Sequence, residues 1–487
     1  MPINLVFHPT DTLRILPEII LTAMATLLMV LDPVIHRRSS NAFGHLSLLT
    51  LAAAAAASVY AYLQAGPAFG GMLIVDGFGT FFRLLVIVVG VLTILPSYRF
   101  LQRQDAETGE YHALLLFSIA GQSLMAVSND LIMIFIGLEI SSIASYVLAG
   151  YLRDDKRANE ASLKYFLLGS FATAFFLYGI ALIYGATGTI NLAEVRAEIS
   201  GQNAPDAVFV GLAAALMFVG LGFKVSAAPF QIWAPDVYQG APTTVTGFLS
   251  AGPKAAAFAV MLRIFMTALE PIGPGWEPIV WISALLSMTV GNFAALQQSN
   301  VKRMLAYSSI AHAGYVLVAV TARSDNGAAA AMFYLAAYAF MNIGAFVVVS
   351  HLSGQGERYQ TLDDFAGLGQ KQPMTAALLT IFLLSLIGVP LTGGFFGKFY
   401  IFKAALESHL LWLTVLGLLN SAVAAYYYLR ILVMMYMHDP SEAVTAVEPL
   451  TPGLRAALIL PALGTLFLGI FPTWILNFAN RSSMLTK

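Results

Sequence analysis

Six ionisable side chains sit in or beside apolar stretches: Glu139, Lys164, Lys224, Lys254, His312 and Lys398. Lys224 follows the apolar run 208–219, with no other charge between Asp206 and Asp236, and two helix breakers, Pro229 and Pro235, come after it in GLGFKVSAAPFQIWAPDVYQGAP. A cation near the bilayer centre costs at least about 3 kcal/mol. Interrupted backbone is tolerated at that depth only where protein or water satisfies it. Glu139 is the only charge between Asp130 and Arg153, about 13 Å along a helix from the loop and so close to mid-membrane. Lys254, in AGPKAAAF, is alone between Asp236 and Arg263, and His312, in SSIAHAGY, is equally central between Arg303 and Arg323. Lys398 lies near Lys403, Lys164 follows the charged loop RDDKRANE by about one turn, and Arg83 follows Asp76 with no other charge near it. Desolvation disfavours charge on an amine or a carboxylate, and an opposite charge nearby restores it. A group held between these terms changes protonation when a neighbouring charge moves.

Each residue has a blander reading. Lys224, Lys164 and Arg83 could snorkel to an interface, Glu139 could be half of a structural ion pair, and His312 could satisfy a hydroxyl such as Ser308 or Ser309. The set is harder to dismiss than any member, because isolated ionisable groups on several helices need a shared polar interior. Tyr426, Tyr427 and Tyr428 read as packing and interfacial belts.

The elements that must position these groups are membrane helices. Of 487 residues, 58% are hydrophobic and 10% charged, where a soluble domain carries roughly 25% charged residues. The formal net charge of -1 points to no nucleic-acid partner. With no cysteine, the chain cannot ligate an iron–sulfur cluster through thiolates. Neither a dinucleotide fingerprint nor a phosphate loop occurs, and no His/Glu pair has metal-ligand spacing. Redox chemistry is therefore not expected within this chain. Apolar runs of spanning length predict fourteen helices near 12–34, 43–63, 73–97, 112–128, 130–151, 161–186, 206–228, 240–268, 276–297, 301–321, 327–351, 375–402, 410–437 and 454–478. The start, MPINLVFHPTDTLR, lacks a basic region leading to a cleavage site, so the first run is expected to be a retained anchor. Lysines and arginines favour the loops after odd-numbered helices by fourteen to seven, which puts both termini outside the cytoplasm. The segment LIGVPLTGGFFGKFYIF (386–402) echoes the one around Lys224, with its proline before its lysine. Two such interrupted segments point to repeats, helices four to eight and nine to thirteen, flanking a transport path. From the residues alone, the reading is a transporter of protons or small cations with a buried Lys/Glu/His relay.

Several stretches together resemble the antiporter-like membrane subunits of proton-translocating NADH:quinone oxidoreductase, respiratory complex I. They are DLIMIFIGLEISSIASYVLAGY around Glu139, EASLKYFLLGS around Lys164, GLGFKVSAAPFQIWAPDVYQGAP around Lys224, AGPKAAAF at Lys254, VKRMLAYSSIAHAGY at His312 and GVPLTGGFFGKFYIF at Lys398. The resemblance covers about the second to the thirteenth helix. It implies an all-α polytopic membrane protein of fourteen helices, with inverted five-helix repeats and broken seventh and twelfth helices. The segments would be 1–111, 112–268, 276–437 and 438–487. It further implies that Glu139 and Lys224 form a controlling pair, that Lys164, Lys254 and His312 pass protons inward, and that Lys398 faces the exit or the next subunit. No cofactor is expected in this chain; NADH, FMN, iron–sulfur clusters and quinone would be held by other subunits. The implied partners are the lipid bilayer, an antiporter-like neighbour and small membrane subunits, in a bacterial inner membrane. The lysine at 398 and the short stretch after the last helix point to the branch without a long lateral helix. Two departures matter: Gln231 and Gln239 stand where the family often has histidine and glutamate, so no proton-carrying role is expected of either. A subunit of a Mrp-type cation/proton antiporter and a non-conducting membrane-arm scaffold are the alternatives.

Overall fold

The computed structural model describes residues 9–35, 41–106, 109–202 and 204–483. The stretch MPINLVFH, the basic loop residues Arg37 and Arg38, and Lys487 lie outside them. The described chain is almost wholly helical: α1 Pro9–Arg14, α2 Leu16–Ile35, α3 Asn41–Leu63, α4 Gly77–Arg103, α5 Gly109–Val127, α6 Leu131–Ala149, α7 Lys156–Thr187, α8 Leu192–Ser200, α9 Ala207–Val225, α10 Trp233–Gly240 and α11 Thr243–Arg263. Then follow α12 Gly273–Leu296, α13 Val301–Thr321, α14 Asp325–Ser353, α15 Leu368–Lys371, α16 Pro373–Ile387, α17 Gly393–Glu407, α18 Leu411–Met437, α19 Glu442–Ala446, α20 Pro452–Ile470 and α21 Pro472–Ser482. A short hairpin, Gly66–Ala68 with Leu73–Val75, joins α3 to α4.

Every one of the fourteen expected spans coincides with a helix or a pair of helices. Among the described residues, 12 helices are long and apolar enough to cross a membrane. The starts follow local chemistry. Asp76, Asp130, Asp155, Asp206, Asn300 and Ser324 each accept a backbone N–H of the first turn after them, satisfying donors that a helix leaves free. The seventh span is interrupted between α9 and α10, and the twelfth between α16 and α17. The eighth runs past Arg263 into a π-helical turn, Ile264–Ala268, and the fourteenth is divided at Pro472.

The helices form a core of three and a surrounding shell. Thr243–Ala268 is buried along its whole length, and α13 and α14 nearly so. Around them α2, α3, α7 and α18 present Leu27, Leu63, Phe171 and Trp412 outward, as surfaces that face lipid do. On the α5–α6 contact a Cβ at Gly121 would meet the carbonyl oxygen of Gly137 at 2.6 Å. Only glycine lets the backbones approach so closely, and this contact sets α6, which carries Glu139, against the bundle.

Candidate functional site

Lys224 occupies the last turn of α9 and is 5% exposed. Its Nζ donates to Ser142 Oγ (2.8 Å) on α6 and to Tyr165 OH (3.2 Å) on α7, and it lies over the rings of Tyr146 and Tyr165. After Val225 the chain leaves helical geometry at Ser226 (φ +60°). The carbonyl of Phe223 accepts both the Ser226 N–H at 3.0 Å and the indole N–H of Trp233 at 2.9 Å, and the indole ring stacks on Tyr165. Glu139 stands one turn before Ser142 on α6, half-buried. It is within Coulombic reach of Lys224 without touching it, and its Oε1 is buried with no hydrogen-bond partner. A cavity of about 10 Å³ beside Lys224, against Ser142, Tyr146 and Thr173, has room for about one water.

Inward from the break, Lys254 on α11 donates to the carbonyl (3.0 Å) and Oγ (2.5 Å) of Ser309 on α13. The hydroxyls of Tyr238 and Tyr338 are each buried without a hydrogen-bond partner, as is Ser226 Oγ. Buried polar groups of this kind are where ordered water is held. One turn beyond Ser309, His312 bonds Tyr334 OH through Nδ1 and Tyr428 OH through Nε2, the latter at 3.1 Å. Tyr428 also bonds Ser308. His312 is within Coulombic reach of both Lys254 and Lys398.

Lys398, 6% exposed in the second turn of α17, closes the chain. Its Nζ donates to the carbonyls of Leu386 (3.0 Å) and Ile387 (2.9 Å) and to Ser421 Oγ (2.8 Å), and lies over the Tyr315 ring at 4.8 Å. Those two carbonyls are free because α16 stops at Gly388 (φ +95°), and the C-terminal end of a helix attracts a cation. Five of the six residues singled out in the sequence thus fall into two groups in the bundle: half-buried Glu139 near Lys224, and buried His312 between the reach of Lys254 and Lys398.

The sixth stands apart. Lys164 has a side chain 40% exposed and pairs with Glu160 (2.7 Å) and Asp236 (2.9 Å), in a surface cluster that Arg303 completes through Asp236 (2.7 Å) and Gln239 (3.0 Å). Arg83 shows the bland alternative: it is fully buried, but it forms a two-point ion pair with Glu18 at 2.9 and 2.8 Å, which ties α4 to α2. Gln231 Oε1 is buried and unpartnered.

Residues 128–424 match the family described as NADH:quinone oxidoreductase/Mrp antiporter, TM. Over 483 residues the chain is 75% identical to NADH-quinone oxidoreductase subunit N 1 of Solibacter usitatus, covering 99% of each. The chain belongs to the subunit N family of NADH-quinone oxidoreductases. Its fold overlays a chain of respiratory complex I from Thermus thermophilus with a TM-score of 0.82 at 35% identity, over 95% of this chain and 99% of that one. A chain of the Mrp complex from Dietzia overlays with a TM-score of 0.84 at 20% identity, over 98% of each, which is a likeness of fold.

The chain carries part of its polar interior on residues whose types gave no sign of it. Tyr427 and Tyr428, read above as belt residues, are wholly buried: Tyr428 bonds the histidine and Tyr427 donates to Asn292 at 3.1 Å. Only Tyr426 faces outward. Helical spacing distinguishes them, since three consecutive residues point 100° apart and cannot share one environment. Ser142, Ser309 and Ser421, the hydroxyls that receive the three lysines, had no signal beyond being polar in apolar runs.

Proposed function

We propose that this chain moves protons across the membrane through Glu139, Lys224, Lys254, His312 and Lys398, driven by quinone reduction elsewhere in a complex I assembly. The observation that carries the reading is two groups of ionisable side chains, Glu139 with Lys224 and Lys254 with His312 and Lys398, bonded to hydroxyls in the bundle interior, with the hydroxyls of Ser226, Tyr238 and Tyr338 buried and unpartnered. A proton relay needs sites that can be charged or neutral, spaced by groups that both donate and accept. Glu139, close to Lys224 but not bonded to it, is the member placed to alter the charge on the first lysine. Against a membrane voltage of about 100 mV each transfer takes roughly 2.3 kcal/mol, and that energy must arrive as a charge or conformational change from neighbouring subunits. Lys164, in its surface cluster, belongs to the mouth of the path and not to its buried line.

The same reading covers the setting. The chain lies in a bacterial inner membrane with both termini on the periplasmic side, beside an antiporter-like neighbour and small membrane subunits. NADH, FMN, iron–sulfur clusters and quinone are held by other chains. Segments 112–268 and 276–437, each with one interrupted span, form two inverted units flanking the path, between the helices of 1–111 and 438–487. The test is proton translocation by the purified, reconstituted complex. Lys224→Ala and Glu139→Ala should each strongly lower NADH-driven proton movement while the complex assembles. Wild-type pumping in both variants would refute the relay and leave a scaffold. A Mrp-type role would instead show as cation-for-proton exchange that persists without quinone reduction.

A further inference from the structure

Glu357 is buried (6% exposed) near the start of the connection that follows α14, and nothing in the relay uses it. Its Oε2 receives Lys302 Nζ at 2.8 Å, and its Oε1 receives the backbone N–H of Thr243, the first residue of α11, at 2.7 Å. The backbone turns it inward through three positive-φ positions within four residues: Gly354 (φ +70°), Gly356 (φ +67°) and Glu357 itself (φ +49°). For a side chain other than glycine that conformation costs roughly 1–2 kcal/mol, so the surroundings hold the carboxylate in place against local preference. Lys302, wholly buried on α13, also donates to the carbonyl of Ala241 at 2.7 Å. The pair therefore sits under the turn that joins the interrupted seventh span to α11.

On one side Glu357 lines a cavity of about 280 Å³ shared with Lys164, Asp236, Gln239 and Arg303, the charged mouth described above. On the other side a stripe of polar residues begins. Thr243, Thr246, Ser250 and Lys254 recur at helical spacing on α11 and are all buried, so they share one face. From Thr243 to Lys254 the stripe covers roughly 16 Å. Thr246 Oγ1 donates to the Tyr238 carbonyl, and Ser250 Oγ accepts from Asn342 Nδ2 at 2.6 Å. Thr243 Oγ1, Tyr238 OH and Asn342 Oδ1 are buried with no hydrogen-bond partner. Unsatisfied polar atoms in a packed interior cost about 1–3 kcal/mol each, and water bridging them removes that cost.

We propose that Glu357 is the proton-uptake residue of this chain, taking protons from the charged mouth and passing them along the Thr243–Thr246–Ser250 face of α11 to Lys254. The step is a plain proton transfer. A hydronium ion in the mouth gives its proton to the Glu357 carboxylate, an O–H bond forms, and Lys302 keeps its bond to the Ala241 carbonyl. The neutral acid then releases that proton through water and the three hydroxyls to Lys254, whose own proton has already left toward His312. The mouth is lined by residues of loops predicted on the cytoplasmic side, so uptake is from the cytoplasm. The proposal rests on the relay reading above and adds its entrance.

The experiment uses the whole complex in proteoliposomes, with NADH oxidation and proton translocation measured together. Glu357→Gln keeps an acceptor for the Thr243 N–H but cannot carry a proton. It should slow coupled turnover at least about tenfold, raise the solvent deuterium isotope effect, and be largely rescued by Glu357→Asp. The double variant Thr243→Val with Ser250→Ala leaves the ion pair intact and should slow translocation several-fold. Wild-type rates in Glu357→Gln, or equal losses in the Gln and Asp variants, would overturn the uptake role. If Glu357→Gln does not assemble, wild-type pumping in the double variant overturns it instead. Lys224→Ala, run alongside, separates the two failures: a defect there with normal Glu357→Gln removes the entrance and leaves the relay, whereas normal pumping in both removes the relay itself.

Discussion

Lys224 ends its half-span and reaches sideways to Ser142 and Tyr165 on two other helices, whereas Lys398 lies just inside the second half of its span and folds back on the first. At the first break the Phe223 carbonyl is taken by the Ser226 N–H and the Trp233 indole, leaving the lysine to hydroxyls, aromatic faces and the field of Glu139. At the second break the lysine itself takes the freed carbonyls of Leu386 and Ile387, with Ser421 as a third acceptor. An ammonium has three donors: Lys398 has an oxygen for each, Lys224 has two. The same sequence ingredients, a lysine and a nearby interruption, thus make an ammonium that holds a break together in one place and one that answers to a carboxylate in the other.

The sharpest way to break this contrast is to exchange each lysine for methionine. Lys224→Met should lower proton translocation by at least about 10²-fold, the scale of a lost acid–base group, with little change in thermal stability of the complex. Lys398→Met leaves the Leu386 carbonyl without a donor and the Ile387 carbonyl with only the Ser421 hydroxyl at 3.5 Å, and should also lower stability, by about 2 kcal/mol, read as a drop in thermal midpoint. Identical profiles for the two variants would dissolve the distinction.

A smaller effect tests the second break alone. At Gly388 a Cβ would sit 3.3 Å from Lys398 Cδ in a backbone with φ +95°, so Gly388→Ala should cost about 1 kcal/mol or more and weaken the hold on Lys398. An unchanged thermal midpoint would show that the break tolerates a side chain there. The smallest effect belongs to Lys164. Its exposed pairs with Glu160 and Asp236 are of a kind worth about 0.2–1 kcal/mol, so Lys164→Ala should reduce turnover by at most about fivefold. A loss as deep as that of Lys224→Met would place Lys164 on the main line after all.

The depth of Glu139, Lys224, Lys254 and His312 was legible because uninterrupted apolar runs of known rise leave a lone charge no other position. The two interruptions were legible as proline and glycine beside those lysines. What escaped was pairing. Arg83 and Lys224 look alike in the sequence, each an isolated cation in an apolar run, yet Arg83 meets Glu18, 65 residues away. Lys302 and Glu357, 55 residues apart, carry no sign of each other in the sequence and are a buried pair. Tyr427 and Tyr428 read as belt residues because tyrosine suits an interface and a buried hydrogen bond equally well.

By itself, then, the sequence determined which segments cross the membrane and where along its helix each of these charges lies, since span length and helix rise are local quantities. Only the tertiary structure decided what each charge faces. Lys224 and Ser142 are 82 residues apart and His312 and Tyr428 are 116 apart, and whether such groups meet depends on how helices rotate and pack against one another, which no stretch of the chain specifies alone.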